Sequence, residues 1–237
     1  MEISNSLKAY NQEVEQYYAE LGSSANKLAQ VEVKQRFEEG ASTTAIWGMK
    51  SLGINPTDGK EVFVRRDGTI TFDYEPEEQQ VLGDKLSKMK GSFGINAQWR
   101  KWSMFASFMY EWGGEAYNTT LPNRVETIDL FNYNADKRVT SMRWQNFGDI
   151  APMKNIKDRL SKTYPSSRFV QKNNIVRFNS FSLSWTENKG WVERLGLSQV
   201  QFQVNTKDLG YWSTIKRERG TDYPFAWNFD FTLAVSF

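Results

Sequence analysis

Catalytic sites are built around a nucleophile, a general base or a metal ligand, and this sequence is poor in all three. Its 237 residues include no histidine and no cysteine. That removes the commonest base and metal ligand and excludes disulfides, thiolate catalysis and zinc–thiolate sites. Carboxylates remain: Glu75, Glu77 and Glu78 cluster, and Glu111 stands apart. Two acids hydrolyse a glycoside only when held at a fixed separation, with the pKa of one of them raised. Here the cluster lies in a polar stretch with no apolar pocket beside it, and it reads as a solvated loop. Asp58, Asp67 and Asp222 lack the spacing of an acidic calcium loop. Asn118 to Thr120 has the form of a glycosylation acceptor, which has no meaning in a bacterium. No phosphate loop of the GxxxxGK[ST] form is present. The residues therefore predict neither an enzyme, nor a metal site, nor a cofactor.

Aromatic side chains are the other candidates. The chain has 9 Trp, 10 Tyr and 16 Phe. Trp99, Trp102, Tyr110, Trp112 and Trp185 can either stack on sugar rings or anchor a protein at the boundary between lipid and water. Their neighbours favour the second reading. Phe93, Ile95, Ala97 and Trp99 alternate with Gly94, Asn96, Gln98 and Arg100, and the chain turns near Arg100-Lys101. Trp102, Met104, Ala106, Phe108, Tyr110 and Trp112 then share a face against Ser103, Ser107 and Glu111, with Phe105 and Met109 as exceptions. A strand places alternate residues on opposite faces, so this is a hairpin with one apolar face and aromatics at its ends. Interfacial girdles have that arrangement.

Other segments share the period of two. Phe181, Leu183 and Trp185 alternate with serines, and Val200, Phe202 and Val204 alternate with Gln199, Gln201, Gln203 and Asn205. The last nine residues alternate to the end: Phe229, Phe231, Leu233, Val235 and Phe237 on one face, Asp230, Thr232, Ala234 and Ser236 on the other. Elsewhere, residues 3–9 read as the end of a strand and 10–28 as a short surface helix. The segment around 44–51 reads as strand, 60–74 as a hairpin turning at Asp67-Gly68, and 75–90 as polar loop. A long polar connection occupies 113–172, with a short helix near 125–131, and loop occupies 210–224. With the turn at Arg100-Lys101 on one side, the long loops 52–91, 113–172 and 210–225 fall together on the other. The segment from about 10 to 40 is too long for the short-turn side.

Composition is consistent with strands crossing a bilayer. Hydrophobic residues make up 39% of the chain and the mean hydropathy is −0.63, with no stretch near the roughly 20 apolar residues of a spanning helix. Barrel strands escape that test because their inward residues are polar. The net charge of +2 and the lack of a Lys/Arg block give no sign of a nucleic-acid partner. No signal peptide opens the chain. In a complete protein that would imply the cytoplasm; in a piece of a longer one it implies nothing.

The chain resembles the carboxyl-terminal part of the SusC/RagA-like TonB-dependent transporters of Bacteroidota. The matching segments, in order, are Ser51 to Phe63 (SLGINPTDGKEVF), Gly113 to Asn118 (GGEAYN), Asp136 to Val139 (DKRV), Arg143 to Asp149 (RWQNFGD), Ser166 to Asn174 (SSRFVQKNN) and Phe229 to Phe237. Asn55, and Asp208 with Leu209, depart from the family's usual Asp and Asn-Leu. The resemblance implies an all-β fold: an antiparallel up-and-down transmembrane β-barrel segment, a partial barrel of about six to seven strands with long extracellular loops. Residues 1–237 would then be the carboxyl-terminal part of a receptor barrel of about 22 strands, its plug domain and earlier strands lying outside this sequence.

The resemblance further implies import of glycans or other large nutrients, such as peptides, across the bacterial outer membrane, without covalent chemistry. Implied partners are a SusD-like lipoprotein, the TonB complex (through the missing amino-terminal part), outer-membrane lipid and the barrel-assembly machinery. That machinery would read Phe229, Phe231, Leu233, Val235 and Phe237. Two other readings of the residues stay open: a soluble all-β glycan-binding module, and a β-sandwich glycosidase.

Overall fold

A computed structural model describes residues 4–23, 31–131, 134–216 and 226–237. They form two compact units, 1–86 with 115–172 and 87–114 with 173–237. Nearly all regular structure is antiparallel strand. Among the described residues no helix is long and apolar enough to cross a membrane.

The first unit opens with helix α1, Asn5–Ser23. Residues from Asn5 to Ala9 are therefore helical, where the sequence suggests strand. Leu7 stands one helical turn before Tyr10, so the stripe of Tyr10, Val14, Tyr17, Tyr18 and Leu21 extends back through it. Val14 and Tyr18 are buried against Val31, with Tyr74 and Tyr164 packed on the cluster. Strand β1 (Ala45–Gly48) follows, then β2 (Lys50–Ile54), β3 (Glu61–Val64), β4 (Ile70–Thr71) and β5 (Gln80–Asp84). β1 pairs with β5, and β2, β3 and β4 form a small sheet. The turn at Asp67-Gly68 is present: Gly68 has φ +88, and the Asp67 carboxylate accepts from the Thr69 amide at 2.8 Å. Strand β5 occupies part of the expected 75–90 loop, because β1 offers it a partner that is not local in sequence.

The second unit contains the long strands: β6 (Met89–Trp99), β7 (Trp102–Tyr117), β8 (Val170–Glu187), β9 (Gln199–Ser213) and β10 (Phe229–Ser236), with a helical turn, α3, at Trp191–Arg194. They form one five-stranded sheet in the order β10-β9-β8-β7-β6, each strand beside its neighbour in sequence. This is an up-and-down antiparallel sheet, open at both edges among the described residues, as in a partial barrel. The segments near 44–51 and 60–74 join the small sheets of the first unit, so five strands are long enough to cross a bilayer, or nearly so. One end of the sheet carries the Arg100-Lys101 turn, the 188–198 connection and Phe237. There the Thr186 amide donates to Lys101 O and the Ser198 amide to Ser236 O. The chain leaves the other end by its long connections, 118–169 and 214–228.

Strand β9 runs on to Ser213, past the point where the sequence suggests loop. A bulge explains this. Phe178 pairs with Gly210 and Ser180 with Lys207, so Asn179 faces the two residues Asp208 and Leu209. Asp208 takes φ +53, a left-handed conformation that Asp and Asn tolerate best after glycine. The extra residue reverses the parity of the alternation, which hides the last third of the strand from a strict period of two.

The 113–172 stretch is not loop. Strand β7 continues to Tyr117, and a π-helical turn follows at Leu121–Glu126, earlier than the helix expected near 125–131. A four-residue helix, α2, lies at Arg138–Ser141. Leu121, Val125, Ile128, Val139, Met153 and Phe169 make a buried core in this unit.

Candidate functional site

The second unit's sheet has two unlike faces. Paired residues of antiparallel strands share a face, so the registers can be read directly. Phe231, Leu233 and Val235 pair with Val204, Phe202 and Val200. Val204 and Phe202 pair in turn with Leu183 and Trp185. Phe93, Ile95, Ala97 and Trp99 pair with Phe108, Ala106, Met104 and Trp102. Rings of Phe93, Phe108 and Phe178 stack at 5.0 and 4.7 Å, which continues the apolar surface across three strands. The face is open: Trp99 is 65% exposed, Phe231 79% and Leu233 60%. Phe108 is half-buried between its stacked neighbours. Two packed sheets would have covered these side chains.

The aromatic residues singled out in the sequence all lie on this face, at its two ends. Trp99 pairs with Trp102 beside the Arg100-Lys101 turn, and Trp185, packed on Phe202 at 5.8 Å, lies near the same end. Tyr110 and Trp112 lie towards the other end, opposite Gly91 and Met89. A Cβ on Gly91 would meet the Tyr110 hydroxyl at 2.8 Å; glycine is what lets that ring lie across β6. From Trp102 to Trp112 is ten residues of β7, about 33 Å at a strand's rise. At the tilt of a barrel strand this corresponds to about 25 Å along the membrane normal, the height of a barrel's apolar band. Trp212, missed in the sequence, joins the second end. It pairs with Val176 and is 66% exposed. Only the parity change at Asp208 concealed it.

The opposite face is polar and mostly uncharged. Gln199, Gln201, Gln203 and Asn205 of β9 pair with Ser236, Ala234, Thr232 and Asp230 of β10. On the other side Gln201, Gln203 and Asn205 meet Thr186, Ser184 and Ser182 of β8. Asn96 and Gln98 of β6 face Phe105 and Ser103.

A second constellation, in the first unit, was not legible as a site. Glu126 is fully buried, and its carboxylate accepts from both Nη atoms of Arg168 at 2.8 and 2.9 Å and from Thr163 Oγ1 at 3.0 Å. Arg168 also reaches Glu61 at 2.5 Å, and Lys154 lies 3.5 Å from Glu126. Burial opposes ionisation of Glu126, but the Arg168 guanidinium, Lys154 and Thr163 outweigh it and hold the carboxyl at about 2. Burial also opposes the charge on Arg168, yet Glu126 and Glu61 together raise its pKa. Arg143 donates to the carbonyls of Val125 (2.7 Å), Glu126, Lys154 and Asn155, and burial lowers its pKa. Such a fully bonded network holds segments in register, with no open cavity at which to act.

These contacts draw the quoted motif segments together. The Ser51 amide donates to Ser167 Oγ at 2.9 Å, Glu61 meets Arg168, and Trp144 Nε1 donates to Pro56 O at 2.9 Å. A Cβ on Gly59, at φ +72, would strike the Trp144 ring at 2.8 Å. The carboxylate cluster is structured but not paired for catalysis. Arg65 clasps Glu75 at 2.5 and 2.7 Å and lowers its pKa, while Glu78 accepts from the Arg66 amide. Glu111 pairs with Lys90 on the polar face of the sheet. Asp222 lies outside the described residues. Among the described residues no cluster of His, Cys, Asp or Glu is arranged to hold a metal ion.

No family model matches the sequence, and no curated protein matches it. Solved structures do resemble the fold. A chain of the RagAB peptide importer in its open-open state aligns with TM-score 0.64 and 15% identity over 81% of this chain and 22% of that one. A chain of the RagAB peptide transporter gives 0.57 and 14% identity over 72% and 19%. The closed-closed importer gives 0.56 and 16% identity over 72% and 20%. This chain spans about a fifth of the length of the chains it resembles, and at such identities the likeness is one of fold.

Proposed function

We propose that this chain is the carboxyl-terminal barrel wall of a SusC/RagA-like TonB-dependent importer in a bacterial outer membrane. One observation carries the reading: the five-stranded up-and-down sheet exposes a continuous apolar face with tryptophan at both ends, and backs it with a polar, mostly uncharged face. A wall between lipid and a wet lumen needs both faces, while a soluble sheet has no use for the first. The fold likeness to RagAB importer chains supports the same reading.

On this reading Trp99, Trp102, Tyr110, Trp112 and Trp185, joined by Trp212, lie at the two membrane boundaries. Phe229, Phe231, Leu233, Val235 and Phe237 meet lipid and form the terminal signal for barrel assembly. The first unit belongs to the outward loops, where a SusD-like lipoprotein and a glycan or peptide ligand are met. Ligand passes inward when TonB, acting on a plug outside this sequence, opens the lumen. No step breaks or forms a covalent bond.

Fractionation of cells producing the protein tests this. It should sediment with outer membranes and dissolve only in detergent. A monodisperse, detergent-free soluble monomer would favour a soluble all-β binding module instead.

A further inference from the structure

The polar face has a structure of its own. The four carboxamides of β9, at Gln199, Gln201, Gln203 and Asn205, occupy every second position. Their partners on β10 are Ser236, Ala234, Thr232 and Asp230, and those on β8 for the last three are Thr186, Ser184 and Ser182. All but Asp230 are small and uncharged. The amides therefore stand as a ridge between two shallow channels. Gln203 Nε2 donates to Ser182 Oγ at 3.0 Å and to Asn205 Oδ1 at 2.8 Å. These bonds orient both amides and leave the Gln203 carbonyl oxygen and an Asn205 N–H to face outward.

Side chains two apart on a strand are about 6.7 Å apart. An extended polypeptide repeats its outward-facing peptide groups at the same interval. Each carboxamide offers one acceptor and two N–H donors, which match the N–H and C=O of a peptide group. The four amides span about 20 Å, the length of about seven extended residues. Across this part of the face no fixed charge favours a charged side chain on the ligand. Sugar polymers have no such repeat of alternating donors and acceptors.

We propose that the β9 carboxamide ridge binds an extended polypeptide through its backbone, independently of sequence. This rests on the reading of the polar face as the lumenal wall. Two sources share that chemistry: an imported peptide, or a segment of the importer's own polypeptide.

The test uses the complete importer in nanodiscs, with Gln201→Ala/Gln203→Ala as the altered form. The probes are acetylated, amidated octapeptides of unrelated sequence, one of them backbone N-methylated. Imported peptide predicts that every unmethylated octapeptide binds at least about tenfold more weakly to the variant, by a common factor, and that the methylated one fails on both forms. Gln201→Asn/Gln203→Asn should retain most binding, which separates amide chemistry from a folding defect. A segment of the same polypeptide predicts instead that octapeptides bind neither form, while the Ala variant leaks ions in a planar bilayer. Unchanged peptide binding with unchanged conductance overturns the proposal, and so does peptide binding that varies with sequence through charge. A thiol at Gln201→Cys that an aqueous, membrane-impermeant maleimide cannot reach would instead overturn the lumenal reading itself.

Discussion

Arg168 is placed where a single substitution should do most harm. It is nearly buried and binds Glu126 and Glu61 at once. Replacing it with alanine leaves two buried carboxylates without their main partner, a loss of about 3–5 kcal/mol, measurable as faster hydrogen exchange across 121–169. Glu126 gives the network a pH dependence. Its folded pKa, about 2, lies below the ordinary 4.5, so its ionisation stabilises the fold above pH 4.5. That contribution is lost as pH falls towards 2. Protection of 121–169 should fall across that window, and in Glu126→Gln the pH response there should flatten. Trp144, packed over Gly59, should cost about 3–5 kcal/mol on truncation to alanine. None of this was legible beforehand. Glu61, Arg143 and Arg168 stand within the family-like segments, but a polar residue's burial depends on partners some 40 to 110 positions away, which no local pattern encodes.

Among the elements, the strands were the most legible. Alternation over Phe93 to Trp112 located the hairpin, its turn and both its faces. The register confirms them pair by pair. Legibility failed where parity broke or partners were distant. The bulge at Asp208 hid the end of β9, and β5 exists only because β1 pairs with it. Asp208 offers a direct check on the bulge. Valine there, β-branched and forced to a positive φ, should destabilise the protein by about 1–3 kcal/mol. Asparagine or glycine should be neutral or better, as thermal unfolding of folded protein in detergent would show. On β10 the two faces predict opposite tolerances. Leu233→Arg, near the strand's middle, should cost about 2–4 kcal/mol if that face meets lipid. Thr232→Arg, one residue away, should cost little; folding titrations into lipid vesicles would separate the two.

At the scale of the whole molecule, the sheet leaves β6 and β10 as unpaired edges among the described residues. An open, apolar edge is a template for further pairing, so the 237-residue chain expressed alone should aggregate, as light scattering would reveal. Within a complete barrel those edges would be closed by other strands. The central claim is that one face of this sheet meets lipid and the other water. Because the chain has no cysteine, single cysteines can be placed at each position from 230 to 235 of the complete protein in native outer-membrane vesicles. They can then be probed with an impermeant maleimide and, after bimane labelling, with brominated-lipid quenching. The account predicts strict alternation. Positions 231, 233 and 235 should be quenched by lipid and shielded from maleimide, while 230, 232 and 234 should be labelled from water and unquenched. Equal aqueous labelling at all six positions, with no lipid quenching, would contradict it.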